Sequence, residues 1–140
     1  ERRNAGKLIF KNLQLVLGGL SILGFLLILV ILFFAPPLFS FIFGNEWEVS
    51  AIYSQIMIFA YAARFIISPT SIVLTALEKL KRVAVWQALY FTGILSLVFF
   101  REEDILTFLV IWATIDIVAY LAYLGIITYA AKQYDRRILG

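Results

Sequence analysis

Residues 13–35 read LQLVLGGLSILGFLLILVILFFA. The run carries no charge and is almost wholly apolar. As a helix rising 1.5 Å per residue, it is long enough to cross the roughly 30 Å hydrocarbon core of a bilayer. Pro36-Pro37 follows at once. Proline has no N–H and disfavours helix in the residue before it, so the pair is expected to end the span. Leu38–Phe43 is too short to cross on its own and is expected at the interface, with Gly44-Asn45 turning the chain back.

Composition agrees with this reading. Of the 140 residues, 63% are hydrophobic and 15% charged, with a mean hydropathy of +0.96. Ordinary soluble domains are about half apolar and about a quarter charged. A short chain has too little interior to hide so much apolar side chain. A soluble globular domain and intrinsic disorder are both excluded, which leaves an integral membrane protein. There is no Cys and no His. Disulfides, thiol nucleophiles, thiolate or imidazole metal sites and histidine acid–base chemistry are therefore absent.

Three further uncharged or nearly uncharged stretches complete the pattern. The second span covers about 46–77, the third 83–100 and the fourth 105–131. Asn45 is expected to cap the second, with Glu48 closing a capping box. Ser68-Pro69 lies inside it and predicts a kink, with nearby hydroxyls bonding the freed carbonyls. The links at Glu78–Arg82 and Arg101–Asp104 are short, so the spans they join should form antiparallel hairpins. Transmembrane strands are about 10 residues long and alternate in polarity, unlike these runs. The fold class is all-α, with four transmembrane helices. The chain starts at Glu1 and holds a single Met, Met57; it reads as a piece of a longer protein.

The cations set the direction. Arg2, Arg3, Lys7, Lys11, Lys79, Lys81, Arg82, Lys132, Arg136 and Arg137 fall on one side of the four spans, and Arg101 alone on the other. The positive-inside rule puts both termini in the cytoplasm. The net charge of +3 is thus made of topology signals and interfacial anchors, and nucleic acid is not an expected partner. Trp47, Tyr53 and Tyr129 suit the aromatic belts; stacking on sugar is the other reading of the two tyrosines.

Two charges remain inside the spans, Arg64 and Asp116. Each costs about 2.5–3.5 kcal/mol at the bilayer centre and should face protein or water. Arg64 lies about 21 Å along its span from Ser50, and Asp116 about 17 Å from Ile105. Their depths match, so they are expected to face the interior and to be able to pair. Tyr53, Arg64 and Thr75 recur every eleven residues, close to three helical turns, and Ser68 and Ser71 share the Arg64 face. Ile58, Ile66, Val73 and Leu77 fall on the opposite face and suit lipid. Ala113, Asp116, Tyr120 and Tyr123 share a face of span four. Two readings stand side by side. In one, the polar stripes line a hydrated path where Arg64, with Ser68 and Ser71, meets an anionic head group or phosphate. In the other, Arg64 and Asp116 form a structural pair that fixes helix register.

Gly18, Ser21 and Gly24 recur on span one, and Gly93 and Ser96 on span three, at spacings that permit close helix approach. Gly18-Gly19 is not a phosphate loop, since no Lys-Ser/Thr follows and no strand precedes. No nucleophile, metal-ligand set or acid–base pair is assembled, so no enzyme activity, cofactor or metal is expected.

Phe34-Ala35-Pro36-Pro37-Leu38-Phe39-Ser40-Phe41-Ile42-Phe43-Gly44-Asn45-Glu46-Trp47 resembles the span-end, Phe-Gly, acidic-Trp segment of polysaccharide biosynthesis proteins. These are the Wzx-type O-antigen and capsule flippases of the MOP exporter superfamily. Arg64-Phe65-Ile66-Ile67-Ser68-Pro69, then Ala76-Leu77-Glu78-Lys79 and Trp86-Gln87, resemble the next helix pair of the same proteins in order and spacing. The resemblance implies a bacterial inner-membrane transporter of about twelve helices in two lobes. Its central cavity would carry undecaprenyl-diphosphate-linked oligosaccharide outward. This chain would supply the last four helices and pack against the remaining helices of its parent. Arg64 matches the cationic cavity residues that meet diphosphate or acidic sugars. Asp116 falls in no motif of that family, and pairing with Arg64 or proton coupling are both open to it. A fragment of a drug or peptidoglycan-precursor exporter, or a non-transporting four-helix assembly subunit, are the alternatives.

Overall fold

The structure is a computed structural model and describes residues 9–139. Arg2, Arg3 and Lys7, which entered the charge count, lie outside the described residues. Helix α1 spans Ile9–Phe43, and a 3₁₀ turn at Asn45–Trp47 leads into α2, Glu48–Ile67. A second 3₁₀ turn, Ser68–Ser71, joins α2 to α3, Ile72–Ala76. Helix α4 spans Leu80–Leu95 and ends in a 3₁₀ turn at Ser96–Phe100; α5 spans Ile105–Leu139. No strand occurs among the described residues. Four stretches are long and apolar enough to cross a membrane: Ile9–Phe43, Asn45–Ala76, Leu80–Phe100 and Ile105–Ile138. The protein is an all-α membrane protein with four such spans. Helices suit this solvent because lipid offers no hydrogen bonds, so each segment must satisfy its own backbone.

Helix α1 corrects the first expectation. It does not stop before Pro36-Pro37 but runs through both prolines to Phe43, 35 residues in all. Pro36 has no N–H to give the Leu32 carbonyl four residues back. The side chain of Gln55 supplies the missing donor, with Nε2 donating to Leu32 O at 2.8 Å. A neighbouring helix thus repairs the ladder. Leu38–Phe43 is consequently helical rather than a separate interfacial segment. Phe39, Phe43 and Trp47 then form an edge of tilted rings, with centroids 5.8 and 5.4 Å apart.

The start of the second span also departs from expectation. Neither Asn45 nor Glu48 forms a capping box, and no side chain caps the 3₁₀ turn or α2. The chain reverses at Gly44, whose φ of 96° suits a residue without Cβ. Backbone groups do the capping: Gly44 N donates to Ser40 O at 3.0 Å and Trp47 N to Gly44 O at 3.1 Å.

At Pro69 the helix tightens into 3₁₀ geometry, and the Thr70 hydroxyl donates to Ile67 O at 2.7 Å. Four residues at three per turn rather than 3.6 advance the helical phase by about 80°. The eleven-residue stripe does not survive this shift. Thr75 is exposed beyond the turn, while Val73 and Leu77 pack against the core, so that part of the face assigned to lipid turns inward. Ser68 is exposed, and Ile66, before the turn, is covered because α1 packs on its side of α2 at Gly24.

Contacts give the helix directions. Gly24 meets Ile66 and Leu32 meets Gln55, so α1 and α2 are antiparallel. Trp86 Nε1 donates to Ala119 O at 2.8 Å and Gly93 lies against Ile115, so α4 and α5 are antiparallel. Tyr61 meets Trp112 and Arg64 meets Asp116, so α2 and α5 are parallel. Helix α2 lies between α1 and α5, while α4 packs on α5 and α3. Gly24 has a packing role: a Cβ there would sit 2.8 Å from Ile66 Cδ1, whereas Gly18 and Gly19 meet nothing. The core clusters Leu13, Ile67, Leu74, Trp86, Tyr123 and Ile127 near one end of the bundle.

The two ends differ in charge. At one end Asp135 Oδ2 accepts from Phe10 N at 3.1 Å, and Arg82 Nη2 donates to Gln133 Oε1 at 3.4 Å. This end gathers Lys11, Lys79, Lys81, Arg82, Lys132, Arg136 and Arg137. The link leaving α3 closes there in a Schellman motif, with Lys79 N on Leu74 O at 2.8 Å and Glu78 N on Thr75 O at 3.0 Å. Glu78 takes the left-handed position, φ 55°. The other end holds Glu46, Glu48, Glu102, Glu103 and Asp104, with Arg101. Asp104 caps α5 there, accepting from Thr107 N at 3.2 Å. The Thr107 hydroxyl and backbone N–H hold the Asp104 carboxyl below its ordinary range.

Candidate functional site

Midway along the bundle, three helices meet around one guanidinium. Arg64 projects from α2, Tyr90 from α4 and Asp116 from α5. Arg64 Nε donates to Asp116 Oδ2 at 2.8 Å, and Nη2 donates to Oδ1 at 2.5 Å. This is the two-pronged geometry in which a planar guanidinium matches a carboxylate. Nη2 also donates to Tyr90 Oη at 2.6 Å, and Tyr90 Oη donates to Asp116 Oδ1 at 2.7 Å. The phenol thus bridges cation and anion.

Burial divides the pair unequally. The Asp116 side chain is wholly buried, while 32% of the Arg64 side chain is exposed. Asp116 faces inward because it shares a helix face with Ala113 and Tyr123, both buried. A guanidinium has five N–H donors. Those on Nε and Nη2 are used on Asp116 and Tyr90. The two on Nη1 make no hydrogen bond among the described residues, so the exposed edge of Arg64 retains donor capacity.

Four aromatic rings surround the cation. The guanidinium carbon lies 5.8 Å from the Tyr61 centroid, 6.0 Å from Tyr90, 5.5 Å from Trp112 and 5.7 Å from Tyr120. Contacts within about 6 Å are attractive and strengthen as water is removed. Behind the pair, Tyr90, Trp86 and Tyr123 stack in sequence, with centroid separations of 5.3 and 3.9 Å. Trp86 is anchored through its hydrogen bond to Ala119 O. The stack holds α4 against α5 and so fixes where the Tyr90 hydroxyl sits.

The residues proposed from sequence are placed differently from one another. Arg64 and Asp116 meet directly. Ser68 is exposed and Ser71 half-buried, and neither hydroxyl bonds to Arg64, whose partners are Asp116 and Tyr90. The groove between α4 and α5 that reaches Tyr90 is lined by Trp86, Leu89, Gly93, Ile115 and Val118 and is apolar. Sequence reasoning missed Tyr90, Trp86, Tyr61 and Trp112. A signal was present: Trp86/Tyr90, Trp112/Asp116 and Asp116/Tyr120 are each four residues apart, which stacks side chains on one helix face. Nothing in sequence paired those faces.

No protein family, characterised protein or solved structure matches this chain. Fold and site together define a class: a four-span helical membrane protein with an aromatic-caged ion pair at mid-span, its carboxylate buried and its guanidinium part-exposed.

Proposed function

We propose that this chain is part of a transporter that flips undecaprenyl-diphosphate-linked oligosaccharide across the bacterial inner membrane, with both termini cytoplasmic. The observation that carries the reading is the state of Arg64. It lies at mid-span, is oriented by a fully buried carboxylate, and keeps two unspent donors on a part-exposed edge. A charge at this depth is costly unless it serves a pathway or is paired, and Arg64 has features of both. Asp116 and Tyr90 act as positioning residues that aim the guanidinium, and the Nη1 edge is the contact offered to an anionic diphosphate. The resemblance of residues 34–47, 64–69, 76–79 and 86–87 to Wzx-type flippases supplies the substrate class. The lipid-linked oligosaccharide, the bilayer and the other helices of the parent are the partners this implies.

A second reading has its own support. The charges of Arg64 and Asp116 cancel, which suits a non-transporting assembly subunit whose pair only sets register. Polymer export in cells carrying Arg64→Ala and Arg64→Lys in the complete protein separates the two. The transport reading expects export to fall sharply in Arg64→Ala and to be retained in part in Arg64→Lys. Undiminished export at normal protein level removes Arg64 from any mechanism. The upstream coding sequence gives an independent check: eight further spans in frame accord with a flippase, and a start codon just before Glu1 accords with a subunit.

A further inference from the structure

The cationic end of the bundle carries a groove on its outer face. Val85, Ala122, Gly125, Ile126 and Tyr129 line a cavity of about 530 Å³ between α4 and α5, with Lys81 and Arg82 at its mouth. Its floor is apolar, and a Cβ on Gly125 would meet nothing within 4 Å. Tyr129 is shared with a second cavity of about 340 Å³, lined by Lys132, Gln133, Arg136 and Arg137. The two spaces adjoin at this one ring, apolar on one side and cationic on the other. Arg82 stands over the Tyr129 ring at 5.4 Å and bonds Gln133. Two acids share this end, Glu78 and Asp135, whose Oδ2 accepts from Phe10 N, and neither forms a salt bridge with these cations among the described residues. From Tyr129 to Ala122 the groove follows about 10 Å of helix, the depth of a glycerol backbone and several methylenes.

We infer that this groove holds an anionic phospholipid from the leaflet at the cationic end. The phosphate sits among Arg82, Lys132 and Arg136, and one acyl chain lies along Val85, Ala122, Gly125 and Ile126. Charge complementarity selects the occupant. Basic pockets between spans attract anionic head groups, each cation adding about fivefold to affinity near the surface. An apolar helix from a second copy would cover the floor but give no anion to Lys81, Arg82, Lys132, Arg136 and Arg137, which form no salt bridge among the described residues. The site does not involve Arg64 and stands apart from the transport reading.

Native mass spectrometry of the purified protein in detergent, titrated with phosphatidylglycerol or phosphatidylcholine, tests the inference. Wild type should bind phosphatidylglycerol at least about tenfold more tightly. Arg82→Gln/Lys132→Gln/Arg136→Gln, which removes the three cations placed around the phosphate, should lower that affinity by about a hundredfold with helix content unchanged by circular dichroism. Gly125→Leu, which fills the groove where space is open, should reduce phosphatidylglycerol binding while leaving the cations intact. Equal binding of the two lipids, or a triple variant that keeps its preference, overturns the inference. So does a Gly125→Leu variant that binds as wild type. A dimer lost in Gly125→Leu, without any lipid preference, would assign the groove to a second copy instead.

Discussion

Gln55 on α2 donates its side-chain amide at 2.8 Å to the carbonyl of Leu32 on α1, the acceptor that Pro36 leaves without an intrahelical donor. One helix therefore repairs the backbone ladder of another at the gap that Pro36 leaves.

The repair predicts a coupling between two residues on different helices. Gln55→Leu should destabilise the protein by about 1 kcal/mol, because it strands a carbonyl in apolar surroundings. In a Pro36→Ala background the helix supplies its own N–H, and the same substitution should cost much less. Reversible unfolding in mixed micelles over this double-mutant cycle measures the difference. Equal costs in both backgrounds would show that the Gln55 contact does not replace the missing N–H.

The buried pair should respond unequally to loss of either partner. Arg64→Met leaves a wholly buried carboxylate uncompensated and should cost about 3–5 kcal/mol. Asp116→Leu leaves a cation that is 32% exposed and should cost less. The double variant Arg64→Met/Asp116→Leu should be more stable than Arg64→Met alone, since neither charge then remains. The same micelle unfolding assay ranks the three.

Glu78 holds a left-handed backbone, φ 55°, at the position where helices usually place glycine. Glu78→Gly relieves contact between Cβ and the backbone and should stabilise by roughly 0.5–1 kcal/mol, net of the greater freedom of glycine in the unfolded chain. Glu78→Ala keeps the Cβ and should give no such gain. Melting of the two variants side by side separates the backbone effect from loss of charge.

The Asp104 cap carries a pH dependence whose sign is fixed. Its carboxyl is held below the ordinary aspartate range by Thr107, so the folded state favours the ionised form. Its contribution is fully present above the unfolded pKa of about 4 and is lost as pH falls through the depressed folded value. The protection factor of the Thr107 amide, its exchange rate divided into the intrinsic rate at the same pH, should be high above that range and fall below it. In Asp104→Ala it should be low throughout.

Much of this architecture is written along the chain. Residues 13–35 and the three later runs specify helices because no backbone group can be left unpaired in lipid. The short Arg101–Asp104 link is enough to fold α4 back on α5. The depths of Arg64 and Asp116 follow from helical rise, since each is counted from the same side. Local exceptions were less legible. The prolines at 36 and 37 read as a stop because their repair comes from Gln55, a residue on another helix. Val73 and Leu77 were assigned to lipid because a uniform helical period was applied across Pro69, where the turn tightens; Ile66, before that turn, faces inward because α1 covers that side of α2.

By itself, then, the sequence determined the solvent of this protein, the number of its spans and the segregation of cations to one end. Those properties depend on hydrophobic length and charge position along a single chain. The tertiary structure alone decided which helix repairs α1, which rings close around Arg64, and that Tyr90 bridges Arg64 and Asp116. Those depend on which faces of separate helices meet, and side-chain packing sets that rather than period or composition.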